Sequence, residues 1–242
     1  MNAILFGFDK QFGFLELTYK AYMALWADCP VTFRIPINDR QNANFRFFLD
    51  KKNVVLVDTP SPFKQTARAL LEGIDDEEWV FWCISDRYPS FLDVGKITRI
   101  FQFLSWHRPA QYNAMRLVNL NETTDQAGIE IEGTTFHTKI GQRTGFWHHQ
   151  FLKAKVLRAN LVHPALPENY CVRDADTRWD SIAEDAHGRI SVFDHTLVPD
   201  VALARLSEPC LNGFLTVNGL ADLKRYGCVI PDLPESQLSA QF

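Results

Sequence analysis

No stretch of the 242 residues approaches the roughly 20 consecutive apolar positions that a membrane-spanning helix requires. Met1 to Phe8 is too short, and meets a charge too soon at Asp9, to read as a signal peptide. The five cysteines, Cys29, Cys83, Cys171, Cys210 and Cys228, are odd in number and scattered, with no C-x-x-C pair. That excludes a disulfide frame and a structural zinc site and leaves reduced thiols that act as small apolar fillers. Clustered Lys and Arg are also missing, and a net charge of −4 argues against a general nucleic-acid binder while allowing a localised basic pocket. None of the seven histidines forms a helical i,i+4 metal pair. His148 and His149 would point to different sides of a helix, so they read as structural. There is no internal repeat, no low-complexity segment and no linker able to divide two domains. The expectation is one cytoplasmic domain over residues 1–242, with enough apolar content, 46%, for a sizeable core.

What is present is an alternation of strand and helix patterns. Ala3 to Phe8 is a first apolar strand ending at Asp9-Lys10, and Phe14 to Trp26 is amphipathic. Val31 to Ile35 is a second strand, and Val54 to Val57 a third, ending at Asp58 before the turn residues Thr59-Pro60-Ser61-Pro62. Phe63 to Leu71 has helical periodicity. Asp93 to Leu104 carries Val94, Ile97, Ile100, Phe101 and Leu104 on one helical stripe, and Tyr112 to Leu117 is strand again. This order predicts an α/β fold, a mostly parallel central sheet with helices on both faces, wound by right-handed crossovers. Beyond Leu117 the pattern loosens. Ile129 to Phe136 alternates like a hairpin arm, Gly141 to Gly145 connects, a helix is expected from about Trp147 to Leu157, and His163 to Gly188 reads as a carboxylate-rich loop with one helical turn.

The most telling segment is Glu78 to Pro89, an apolar run from Trp79 to Ile84 that stops at Ser85-Asp86-Arg87. Such a run reads as a strand buried on both faces, and ligands of open α/β sheets collect at the carboxyl ends of these strands. A carboxylate there accepts from hydroxyl and N–H groups, and a guanidinium fork matches phosphate oxygens. The plain alternative for Asp86 and Arg87 is a solvated strand end with a local ion pair. The same position logic marks Asp9 and Lys10 after the first strand and Asp58 after the third, against ordinary loop charge. Lys64, Gln65 and Arg68 open the following helix, whose exposed N–H groups favour an anion, although Arg68 reads equally well as solvent-facing. The Gly141 to Trp147 segment lacks the spacing of a phosphate cradle, and helical periodicity favours Trp147 as core.

The opening strand with Asp9-Lys10, the Trp26 to Val31 segment, the Trp79 to Tyr88 strand, Gly141 to Leu152 and the acidic Trp179-Asp180 region together resemble nucleotide-sugar glycosyltransferases of the GT-A type, the small bacterial surface-polysaccharide kind. That resemblance implies a single domain with a nucleotide-binding half, 1–118, and an acceptor-side half, 119–242, that includes a small hairpin and loop region. It implies a nucleotide-sugar donor, a saccharide acceptor, Mn2+ or Mg2+ bridging the donor phosphates, and at most peripheral membrane association. It places Asp86 at the metal, where the family carries two carboxylates and this chain one. Asp9, Lys10, Asp58, Arg68, Asp86, Arg87, Gln142 and Trp147 fall on the binding side. Asp180, with Glu184 one helical turn on, falls on the position of the base that deprotonates the acceptor. A relative that has lost catalysis and serves as a carbohydrate- or nucleotide-binding or scaffold protein is the alternative.

Overall fold

The computed structural model describes residues 1–119, 128–139, 147–164, 166–168, 196–211 and 213–235. Four strands, β1 (Asn2–Phe6), β2 (Thr32–Ile37), β3 (Val54–Asp58) and β4 (Trp79–Ile84), form a parallel array in the order β3-β2-β1-β4. The chain moves outward from β1 through β2 to β3 and returns to the other side of β1 as β4. The β1/β4 boundary is therefore the point at which strand order reverses, where the carboxyl ends of neighbouring strands part and leave a crevice.

Beyond β4 the sheet continues through β9 (Gln150–Lys153), β6 (Ala114–Arg116), β10 (Thr196–Pro199), β8 (Thr134–Lys139) and β7 (Ile129–Ile131) to nine strands. Strands β8 and β9 run against the other seven. The expected sheet is thus present, and the hairpin anticipated at residues 129–136 is its edge rather than a separate element. Its turn, Glu132-Gly133, has φ of 50° and 72° at the two central residues, the positive-φ pair that a two-residue turn needs to match strand twist.

The expected helix from Trp147 is corrected. Residues 150–153 are strand β9, wedged antiparallel between β4 and β6, and α5 (Ala154–Leu161) starts only afterwards. All four β9 residues are buried, polar Gln150 and Lys153 included, and four residues are too few for periodicity to separate strand from helix.

Side chains alternate along the central strands and so feed two cores. Ala3, Leu5, Phe33, Ile35, Phe81 and Cys83 meet α1 (Phe12–Leu25), α2 (Arg46–Leu49) and α4 (Val94–His107) on one face. Ile4, Phe6, Val80, Trp82 and Ile84 meet α3 (Phe63–Leu70) and α5 on the other. Each large apolar side chain so buried contributes about 1.5–3 kcal/mol. Both faces are covered, which explains why all six β4 residues are buried and apolar.

A two-stranded ribbon stands outside the main sheet. Strand β5 (Tyr88–Leu92) leaves the end of β4 after a turn at Asp86 and pairs antiparallel with β11 (Ala204–Ser207), with a bulge between Arg205 and Leu206. Strands β12 (Cys210–Leu211) and β13 (Phe214–Leu215) form a short hairpin before α6 (Val217–Arg225).

Candidate functional site

The end of β1 is drawn tightly against the end of β4. The Ser85 N–H donates to Phe6 O at 2.8 Å, which extends the ladder one residue past β4. A Cβ on Gly7 would lie 2.5 Å from Ser85 Oγ and 2.7 Å from Leu15 Cδ2, so any other residue here must push those side chains aside. Just outside opens a hollow of about 230 Å³, walled by Phe6, Phe8 and Trp147 and lined by Gln11, Ser85 and Asp86. Its aromatic wall is built edge to face. Phe6 lies 5.6 Å from Phe8 and 5.0 Å from Phe63 between ring centroids, and Phe63 lies 6.4 Å from Trp147. Such a surface offers flat π-faces to a ring, and Asp86, Ser85 and Gln11 offer acceptors and donors at its edge.

Of the residues singled out in the sequence, Asp86 and Trp147 line this hollow together. Asp9 lies on the turn after β1, where its carboxylate accepts from the Asn38 N–H at 3.0 Å and the Asp39 N–H at 2.6 Å, bracing the loop that follows β2. Lys10 is exposed on the same turn, between Phe8 and Gln11. Asp58 is exposed and ion-paired with Arg40, and Arg68 is exposed on α3. Lys64, in contrast, is buried and donates to Leu166 O at 2.7 Å and Glu168 Oε1 at 2.8 Å, holding the Glu168 carboxyl below its usual range. Gln142, Trp179, Asp180 and Glu184 lie outside the described residues.

Arg87 faces the other way. It lines a second hollow of about 350 Å³ with Val118, Asn119, His148, Ala202, Leu206 and Glu208. Consecutive residues of two segments, Asp86-Arg87 and Trp147-His148, thus form a shared wall, with the first of each pair turned to one hollow and the second to the other. Arg87 Nη2 meets Glu208 Oε1 at 2.8 Å, and Nη1 donates to His148 Nδ1 at 2.5 Å. A guanidinium only donates, so this ring nitrogen is unprotonated. Burial, with the charges of Arg87 and Arg116 beside it, pushes the His148 imidazole down to about 3. Arg116 itself is fully buried on β6, and burial lowers its guanidinium to about 10.

His149 is completely buried between the two segments. Its Nε2–H donates to Ile84 O at 3.0 Å and its Nδ1 accepts from the Tyr22 hydroxyl at 2.6 Å. Because a carbonyl only accepts, these partners fix one neutral tautomer, and burial pushes its pKa down to about 3. The pair His148-His149, dismissed in the sequence on the premise of a helix, clamps the end of β4 from the turn that leads into β9. Alternation of period two would have put one imidazole on each face.

Among the described residues no group of three or more His, Cys, Asp and Glu side chains is placed to hold a metal ion. Asp86 is the one carboxylate of the described residues that lines the aromatic hollow, short of the oxygen set a hard divalent cation gathers.

No family model matches the chain, and no curated protein matches it. Among solved structures it is similar to the galactosyltransferase LgtC. One such structure is of an active-site mutant and another of a complex with donor and acceptor sugar analogs. They align over 100% of this chain and over 89% and 88% of theirs, with 12% identity and a TM-score of 0.39. A superposition that loose carries no functional weight.

Proposed function

We propose that the protein is a glycosyltransferase that moves a sugar from a nucleotide-diphosphate donor to a saccharide acceptor. The supporting observation is the hollow at the β1/β4 reversal, where Phe6, Phe8 and Trp147 surround Asp86 and Ser85. A nucleoside stacks its ring on such a wall, and its ribose hydroxyls donate to a carboxylate at the rim. Lys10, exposed between Phe8 and Gln11, is the cation that the diphosphate meets on the same turn. In the reaction the acceptor oxygen bonds to the anomeric carbon, the bond from that carbon to the diphosphate breaks, and a carboxylate takes the acceptor proton. Asp180 is proposed as that carboxylate, with Glu184 as its substitute.

Thermal shift with a panel of nucleoside diphosphates and nucleotide sugars, with and without Mn2+, tests the reading. A ligand at a hundred times its Kd stabilises the native state by about 2.7 kcal/mol, and silence across the panel rejects the proposal. Asp86→Asn is expected to keep the melting temperature of the unliganded protein while reducing donor turnover on the order of a hundredfold. Asp180→Asn is expected to lower kcat for transfer far more than nucleotide affinity, because a base acts on the acceptor. Equal transfer by that variant moves the role to Glu184 or elsewhere. The second reading, a nucleotide- or carbohydrate-binding protein without catalysis, is favoured by the lone carboxylate of the described lining, and its signature is nucleotide stabilisation without turnover by the intact chain.

A further inference from the structure

The second hollow has the composition of a ligand site in its own right. Its body is apolar, formed by Val118, Ala202, Ala204 and Leu206; among its polar residues Arg87 lies between Glu208 and His148, and Asn119 and Arg205 complete the wall. Arg87 is about a fifth exposed and Glu208 less. The pair is therefore partly withdrawn from water without being sealed in the core. His148 accepts one guanidinium arm and cannot be an anion, so it orients Arg87 without neutralising it. Arg116 adds a buried positive charge close enough to act on the same imidazole. The only carboxylate of the described lining that balances these cations is Glu208.

A carboxylate already seated 2.8 Å from the guanidinium shows what shape of group that fork accepts. Glu208 sits just past the end of β11, beyond the last paired position, Ser207 opposite Tyr88. We propose that this hollow binds a sugar ring bearing a single acidic group, a carboxylate or a phosphate, with Arg87 exchanging Glu208 for the acidic group of the ligand. The ring's apolar face packs on Val118, Ala202 and Leu206. Glu208 is an internal competitor that occupies the fork when the hollow is empty. An acidic saccharide is thereby named as the class of acceptor; this rests on the sugar-transfer reading, since the hollow shares the Asp86-Arg87 and Trp147-His148 wall with the proposed donor site.

Titration calorimetry of the full chain with glucuronate, glucose 6-phosphate and glucose tests it without any donor present. Binding is expected for the two acids and not for glucose, and the ratio of the acids distinguishes carboxylate from phosphate. Glu208→Gln removes the competing charge and is expected to tighten acid binding by at least about threefold. Arg87→Gln is expected to abolish it, and Ala202→Trp, which fills the hollow while leaving the Arg87 pair in place, is expected to do the same without changing nucleotide-induced stabilisation. Glucose binding as tightly as glucuronate, no binding by any of the three, or Glu208→Gln weakening the acids overturns the proposal. Nucleotide stabilisation with no preference for acids sinks this inference alone. Acid binding with no response to nucleotides sinks sugar transfer and leaves the hollow standing.

Discussion

His149 stands where a charge would be fully cut off from water. It is fully buried and held neutral by one donor and one acceptor, and with His148 it remains unprotonated down to about pH 3, whereas both protonate near 6.5 when the chain unfolds. The unfolded state therefore binds more protons between these values. The stability contributed by the neutral imidazoles is complete above about pH 6.5 and is lost as pH falls through the window below it. Each histidine adds a slope approaching about 1.4 kcal/mol per pH unit. Urea midpoints measured between pH 6.5 and 5, above the range where most carboxylates titrate, are expected to fall steadily, and a flat profile contradicts the assignment. Asp86 and Arg87 were legible as residues because an apolar strand ended on them. That they would face opposite hollows was not, since the direction of each depends on the turn at Asp86 and on the segment from Trp147, which arrives from 61 positions away.

Among elements, α3 and α4 announced themselves through periodicity; α1, expected to be amphipathic, is instead buried on nearly every side, and β9 gave no signal. Gln150-Phe151-Leu152-Lys153 is too short for any period to declare itself, and what makes it a strand is the pair of open edges that β4 and β6 present to it. The β5-β11 ribbon was unreadable for a related reason. Pro89 sits inside β5, and its partner lies more than a hundred residues downstream, so only tertiary pairing defines it. The start of α4, on the other hand, was visible in the sequence as Asp93. Its carboxylate accepts from the Lys96 N–H at 3.1 Å, the bond expected of a helix cap. Asp93→Ala is expected to cost about 1 kcal/mol, read as a shift in urea midpoint with unchanged slope. A loss near zero reduces the residue to a loop contact through its own N–H, which donates to Leu203 O at 2.8 Å.

At the scale of the molecule, the sheet with helices on both faces followed from the alternation of strand and helix patterns, because only two-sided cover accounts for a strand as uniformly apolar as β4. The closure of the outer side of α1 did not. Lys20 Nζ donates to Tyr226 O at 2.9 Å and Gly227 O at 3.0 Å, and Glu16 Oε2 accepts from the Val229 N–H at 2.9 Å. Gly13 admits the arriving backbone so closely that a Cβ there would stand 1.9 Å from Val229 O. Gly13→Ala is expected to dislodge residues 226–231 and to destabilise by about 1–3 kcal/mol. Limited proteolysis should then cut after Lys224 or Arg225 before any other site, and an unaltered digestion pattern counts against this closure.

That contact joins residues 213 positions apart in the chain. A ribosome synthesising this protein completes α1 and must then add roughly two hundred further residues before the strap that shields that helix exists. Throughout that interval a largely greasy cylinder lacks its outer cover, which makes it a natural handhold for chaperones and the place where an interrupted translation product would first stick to its neighbours.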